Sequence, residues 1–194
     1  MKKIMLACST LLLLSQPVFA EKMGELPNYF YLGAGTIAFD VSAYGDNSGS
    51  ELSTPNFTIG FGKNFNEHVA VEGLFRYTQN EVTNSTAGTS LNLDYYQAGV
   101  SALLSTGNLG DSPISLFGRL SGLITQANMY DVTNNAVKIS EEAGMIFNVG
   151  GGLGWDMGQN FWLKAEYVYS FADAGFDDFY DKYSGFQLSI GKQF

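Results

Sequence analysis

Val69-Ala-Val-Glu-Gly-Leu-Phe-Arg-Tyr-Thr78 decides the fold. Val69, Val71, Gly73, Phe75 and Tyr77 fall on one face of this stretch. Ala70, Glu72, Leu74, Arg76 and Thr78 fall on the other. Side chains on a strand alternate between faces, so period two marks β-structure. A soluble sheet buries its apolar row and wets its polar row. Here ionisable residues stand in mid-strand on a row otherwise small or polar, which fits the reverse arrangement. The apolar row then faces hydrocarbon and the charged row is enclosed.

The same alternation recurs in seven further stretches. Tyr31, Gly33, Gly35, Ile37 and Phe39 form one row of Tyr29–Val41. The others centre on Phe57–Gly62, Tyr96–Leu104, Ser115–Thr125, Phe147–Trp155, Phe161–Phe171 and Phe186–Phe194. Arg119 stands mid-strand in one, Lys164 and Glu166 in another. The connections near 43–55, 79–90, 127–142 and 172–183 read as long and polar, those near 64–68 and 156–160 as short, and 105–113 as intermediate. In an up-and-down meander every second connection returns to the same end. All four long connections then share one end and both chain termini the other. The expected fold is all-β, an eight-stranded antiparallel up-and-down transmembrane β-barrel. In lipid every backbone N–H and C=O must be paired within the protein, and a closed barrel pairs them all.

Composition agrees. Charged residues are 15% of the 194, against about a quarter in soluble domains. Gly (23), Phe (15) and Tyr (11) are abundant. The net charge of −9 gives no footprint for nucleic acid, and no such partner is expected. No 18-residue apolar run follows residue 20, so no transmembrane helix is expected. At the start, Lys2 and Lys3, the apolar run Ile4–Leu14 and Val18-Phe-Ala20 read as a signal peptide over 1–20, cleaved after Ala20. A membrane anchor would need a longer run, and acylation at Cys8 would leave only Ile4–Ala7 as the apolar region. The barrel domain then covers 21–194, without cysteine and without the two leading lysines, at a charge of about −11.

Eight strands enclose a tube just wide enough for side chains. Glu72, Arg76, Arg119, Lys164 and Glu166 are therefore expected to form one internal charge network, because an unpaired ion there is costly. Tyr31, Tyr77, Tyr96, Trp155, Phe161 and Tyr167 read as aromatics of the membrane interfaces, as do Trp162 and the other tyrosines.

These residues resemble the small outer-membrane β-barrel family of Gram-negative bacteria, the group around the OmpA transmembrane domain and OmpX. Tyr29-Phe-Tyr-Leu-Gly-Ala-Gly35 is similar to the family's first strand. Ile59-Gly-Phe-Gly62 and Asn66-Glu-His-Val-Ala-Val-Glu-Gly73 are similar to its second strand, periplasmic turn and third strand. Phe186, Leu188, Ile190 and Phe194 resemble its assembly signal, from which Lys192 departs. The resemblance implies an outer-membrane location, periplasmic termini, and a non-enzymatic structural or adhesion-type role with four acidic extracellular loops. The implied partners are membrane lipid, lipopolysaccharide, the assembly machinery and an extracellular partner. No cofactor is implied.

Other readings compete. A small low-conductance pore would need an open lumen. A soluble lipocalin-like barrel would put its charges outside. A lipid-modifying enzyme would need a base and nucleophile within reach, but His68 is the only histidine and lies in a short turn, with Ala70 two residues on. Gly150-Gly-Gly-Leu-Gly154 lacks the Lys-Ser/Thr of a phosphate loop. The acids Asp46, Glu51, Glu81, Asp131, Glu141, Glu142, Asp173, Asp177, Asp178 and Asp181 map to the long-connection end. Either they form a solvated face, or they contact partners or divalent cations, whose preferred ligands are oxygens.

Overall fold

The computed structural model describes residues 27–39, 52–84, 89–131, 137–175 and 182–194. The expected signal peptide, Asp46, Glu51, Asp177, Asp178 and Asp181 lie outside them.

Eight strands form: β1 (Asn28–Phe39), β2 (Leu52–Asn64), β3 (Val69–Asn84), β4 (Thr89–Asn108), β5 (Ile114–Asp131), β6 (Val137–Gly158), β7 (Phe161–Ala174) and β8 (Tyr183–Gln193). Each pairs antiparallel with its chain neighbour, and β1 pairs with β8, so the sheet closes into a barrel. The seam runs from Tyr29↔Gln193 to Phe39↔Tyr183, and Phe194 N donates to Asn28 O at 2.9 Å. The end carrying Asn28 and Gln193 is the terminal end. Three short turns lie there, at 65–68, 109–113 and 159–160. In the last, Gln159 and Asn160 both have positive φ (54° and 66°), as a two-residue hairpin matched to strand twist requires.

Alternation dictates the wall. Leu32, Phe57, Phe75, Val100, Leu120 and Leu188 stand outward and exposed, while their neighbours in sequence turn inward. A water-soluble barrel would not expose such a band; a lipid-facing one must.

At the far end the strands run further than their polar sequence suggested. The connections there shrink to 40–51, 85–88, 132–136 and 175–182. Glu81, Asp131, Glu141, Glu142 and Asp173 thus belong to strands, not loops. The reason is that strand pairing continues past the apolar band, where the outward row no longer needs to be greasy. The β2–β3 ladder stops at Asn56↔Thr78, next to Pro55, which has no N–H to donate. The β6–β7 ladder stops at Met145↔Ala174. Beyond these points β3, β4, β5 and β6 continue as a four-stranded sheet paired by β3–β4, β4–β5 and β5–β6 ladders. One face of it, with Leu93, Tyr95, Ala127 and Met129, joins Ile37, Ile146, Val168 and Tyr183 in an apolar cluster over the far end of the tube. On the other face Tyr77 stacks near Tyr96 with ring centroids 5.1 Å apart and donates to Asp94 Oδ1 at 3.3 Å. Past this pair come Gln126, Lys138 and Glu141, which bond to one another. The Tyr77–Tyr96 pair therefore marks the edge of the apolar band.

One strand is turned over relative to the sequence reading. Tyr31 is not an interface aromatic: it is 1% exposed and points into the lumen with Tyr29, Gly33 and Ile37, while Phe30 and Leu32 face out. Both rows of β1 are apolar, so polarity alone carries no sign there. What sets it is space. Tyr31 lies opposite Gly60 and Tyr29 opposite Gly62, and each ring occupies the place of the missing Cβ, 2.3 and 2.2 Å from it. Trp162 is corrected in the same way; it is buried in the lumen, its ring 2.1 Å from where a Cβ on Gly191 would stand. Tyr167 faces outward, but as the seventh of the 14 residues of β7 it is mid-strand, not at a rim. Tyr77 and Tyr96 lie at the far boundary, and Trp155 and Phe161 are exposed near the terminal end.

Candidate functional site: the charged lumen

The lumen is layered. Nearest the terminal end, Tyr29, Tyr31, Ala70, Leu103, Phe117 and Trp162 pack as an apolar cluster. Directly against it sit Glu72 from β3, Arg119 from β5, and Lys164 and Glu166 from β7. Alternate strands contribute because their inward rows meet across a narrow tube.

Arg119 is the hub. Its Nη1 donates to Glu72 Oε2 at 2.6 Å, and its Nε lies 2.7 Å from Glu166 Oε1. The second contact is close but poorly directed, since neither atom completes a hydrogen bond. Lys164 Nζ lies 3.5 Å from Glu72 Oε1, which also accepts from Tyr29 Oη at 2.6 Å. Aromatic faces surround the ammonium, with the Trp162 ring centre at 4.3 Å, Tyr29 at 5.3 Å and Phe117 at 5.4 Å. Glu72 is fully buried and Glu166 and Arg119 nearly so. Two carboxylates and two cations balance, which is what makes their burial tolerable.

Arg76 departs from the single network expected. It is buried, yet its partners are neutral: Nε donates to Thr58 Oγ1 (3.3 Å), Nη1 to Tyr183 Oη (3.1 Å) and Nη2 to Gln187 Oε1 (3.3 Å). No carboxylate lies within 4 Å of it among the described residues. The cause is rise: Arg76 is four residues beyond Glu72 on the same row, about 13 Å along the strand. Asn148 Nδ2 also donates to Tyr183 Oη, tying this polar layer together. Tyr183 and Gln187 carried no charge and escaped the sequence reading; the inward parity of Gln187 was legible, whereas Tyr183 fell in the connection read near 172–183.

A cavity of about 200 Å³ opens at the terminal mouth, lined by Tyr29, His68, Phe117, Trp162, Lys164 and Gln193 among others. Around Arg76 and Gln187 no space for a water remains. The lumen is thus filled in layers: apolar cluster, ion cluster, polar layer and far-end apolar cluster. A planar-bilayer recording of the refolded protein is expected to show no steady single-channel current; a stable unitary conductance would contradict this packing.

Phe186, Leu188, Ile190 and Phe194 share the outward row. His68 sits in the 65–68 turn, its Nδ1 3.1 Å from Ser105 O. Asp173 is within β7, and its side chain is not among those described. No group of three His, Cys, Asp or Glu gathers as a metal site among the described residues.

Comparison with known proteins matches this geometry. A family model described as "Outer membrane protein beta-barrel domain" matches residues 6–194. No curated protein sequence matches the chain. Among solved structures, the neisserial surface protein A barrel is similar at TM-score 0.65 and 15% identity, over 86% of this chain and 97% of that one. Ail, the attachment invasion locus protein of Yersinia pestis, in complex with the heparin analogue sucrose octasulfate, is similar at 0.59 and 19%, over 88% and 99%. The N-terminal barrel of Pseudomonas aeruginosa OprF follows at 0.52 and 15%, over 88% and 100%. At these identities the structural likeness speaks for the fold, and the family match for the membership. The chain belongs to the outer membrane β-barrel protein family of Gram-negative bacteria.

Proposed function

We propose that this protein is a non-enzymatic surface-interaction protein, and that its contact element is the four-stranded sheet projecting from the far end. The terminal end faces the periplasm and the far end the exterior, with residues 1–20 removed on export. The observation that carries the reading is the pair of open edges. Gln79–Asn84 of β3 and Val137–Glu141 of β6 each pair on one side only among the described residues. An edge strand offers unpaired N–H and C=O groups at alternate residues, which an extended segment of another protein can complete. The filled lumen favours this over the pore reading, and the lone histidine, in a terminal-end turn, over a lipid-modifying enzyme.

The sulfated ligand of Ail does not transfer easily. This chain carries −9, and at the far end the described exposed cations are Lys138, already paired with Glu141, and Lys182. An extended polypeptide suits the edges better than a polyanion.

The test is a trimmed barrel, in which 79–94 and 126–142 are replaced by tight turns. Cells displaying it are expected to lose adhesion to protein-coated surfaces, while the barrel keeps its heat-modifiable mobility on a denaturing gel. Undiminished adhesion by a folded trimmed barrel would overturn the proposal.

A further inference from the structure

The outer wall carries a second surface, at the other end. Between the Tyr77–Tyr96 boundary and the terminal end, the strands turn two charged side chains outward among the described residues, Lys63 and Lys192. Both are exposed, both lie near the terminal rim, and they flank the same strand. Asn28 of β1 pairs with Lys63 of β2, and Phe30 of β1 pairs with Lys192 of β8. Asp156 also lies in a strand, but on the inward row, where it caps the Gly158 N–H at 2.9 Å and lines the mouth cavity. Neither lysine has a carboxylate within 4 Å among the described residues, although Glu67 and Asp111 lie in turns at this end.

The ground between the lysines is aromatic. Phe61 and Phe194 lie with ring centroids 6.0 Å apart, and Phe30 pairs with Phe61. Lys192 Nζ rests 5.1 Å from the Phe161 ring centre. The seam β8–β1–β2 therefore offers exposed rings next to two cations at the level where acyl chains give way to headgroups. Lysine stems lie along apolar surface and lift their ammoniums to that level.

We propose that this seam holds an anionic glycerophospholipid, its chains against Phe30, Phe61 and Phe194 and its headgroup phosphate between Lys63 and Lys192. A net-negative headgroup brings a countercharge into contact range, where no carboxylate of the described residues, that of the Phe194 terminus included, lies within 4 Å of either lysine. A zwitterionic headgroup brings its own ammonium, which competes with the lysines for the phosphate. The site is independent of the extracellular contact proposed above, and its test does not depend on which way the barrel sits in the membrane.

Full-chain protein in detergent micelles is titrated with phosphatidylglycerol or phosphatidylethanolamine, and bound lipid is counted by native mass spectrometry. Phosphatidylglycerol is expected to be retained at concentrations where phosphatidylethanolamine is not. K63Q and K192Q are each expected to weaken retention about fivefold, the effect of one cation at an anionic lipid surface. K63R/K192R is expected to keep it, and K138Q/K182Q, at the far end, to leave it unchanged. Equal retention of the two lipids by the unaltered chain overturns the proposal whether or not the variants fold. So does equal phosphatidylglycerol retention by folded K63Q/K192Q.

Discussion

The Arg119→Met barrel is expected to unfold from lipid vesicles with a free energy lower by ~3–5 kcal/mol, the usual consequence of removing one partner from a buried ion pair. Arg119 is nearly fully buried and touches Glu72 at 2.6 Å and Glu166 at 2.7 Å. Its loss strands Glu166, which has no other cation within 4 Å among the described residues, and leaves Glu72 with Lys164 at 3.5 Å and the Tyr29 hydroxyl. Urea titration followed by Trp fluorescence measures the change, since Trp162 sits beside Lys164. Neutralising the whole set, E72Q/R119M/K164M/E166Q, is expected to recover most of the loss, because no charge is then buried alone. An R119M midpoint equal to that of the unaltered protein would mean that water reaches these carboxylates and that the lumen is open. Arg76→Met is expected to cost less than Arg119→Met, since it removes hydrogen bonds to neutral acceptors and strands no carboxylate.

Gly152→Ala is expected to destabilise by ~3 kcal/mol, at the upper end of overpacking effects. A Cβ at this position would stand 1.8 Å from Ala165 O and 2.9 Å from Glu166 Cα. These are backbone atoms of β7, which no rotamer change can clear, so β6 and β7 must part. Because Gly152 pairs with Glu166, the parting also draws that carboxylate away from Arg119. Gly73→Ala is the internal comparison. Gly73 faces outward and a Cβ there meets nothing within 4 Å, so a change within about 0.5 kcal/mol is expected. Equal effects at the two sites, read as unfolding midpoints in the same vesicles, would show that glycine content matters only through strand propensity.

The legible part of the site was parity. Glu72, Arg119, Lys164 and Glu166 each stand on the small, polar row of their strands, and the structure gathers them. Arg76 stands on such a row too, but its height along β3 takes it to Tyr183 and Gln187 instead. Height within a barrel depends on shear, which no single strand encodes. Likewise Glu141 looked like a loop residue because it is polar. In fact the outward row simply changes from lipid to water at Tyr77–Tyr96 while the ladder continues.

By itself the sequence determined the number of strands, their antiparallel order and, in β3, β5 and β7 where one row carries mid-strand charges, which side faces in, because period two is a property of each segment alone. Only the tertiary structure decided which way β1 faces, how far β3 to β6 rise beyond the apolar band, and which buried charges meet. Those outcomes depend on what stands across the barrel. Tyr31 goes inward because Gly60 on the next strand leaves room for its ring, and Arg119 finds two carboxylates because β3 and β7 present them at its own level.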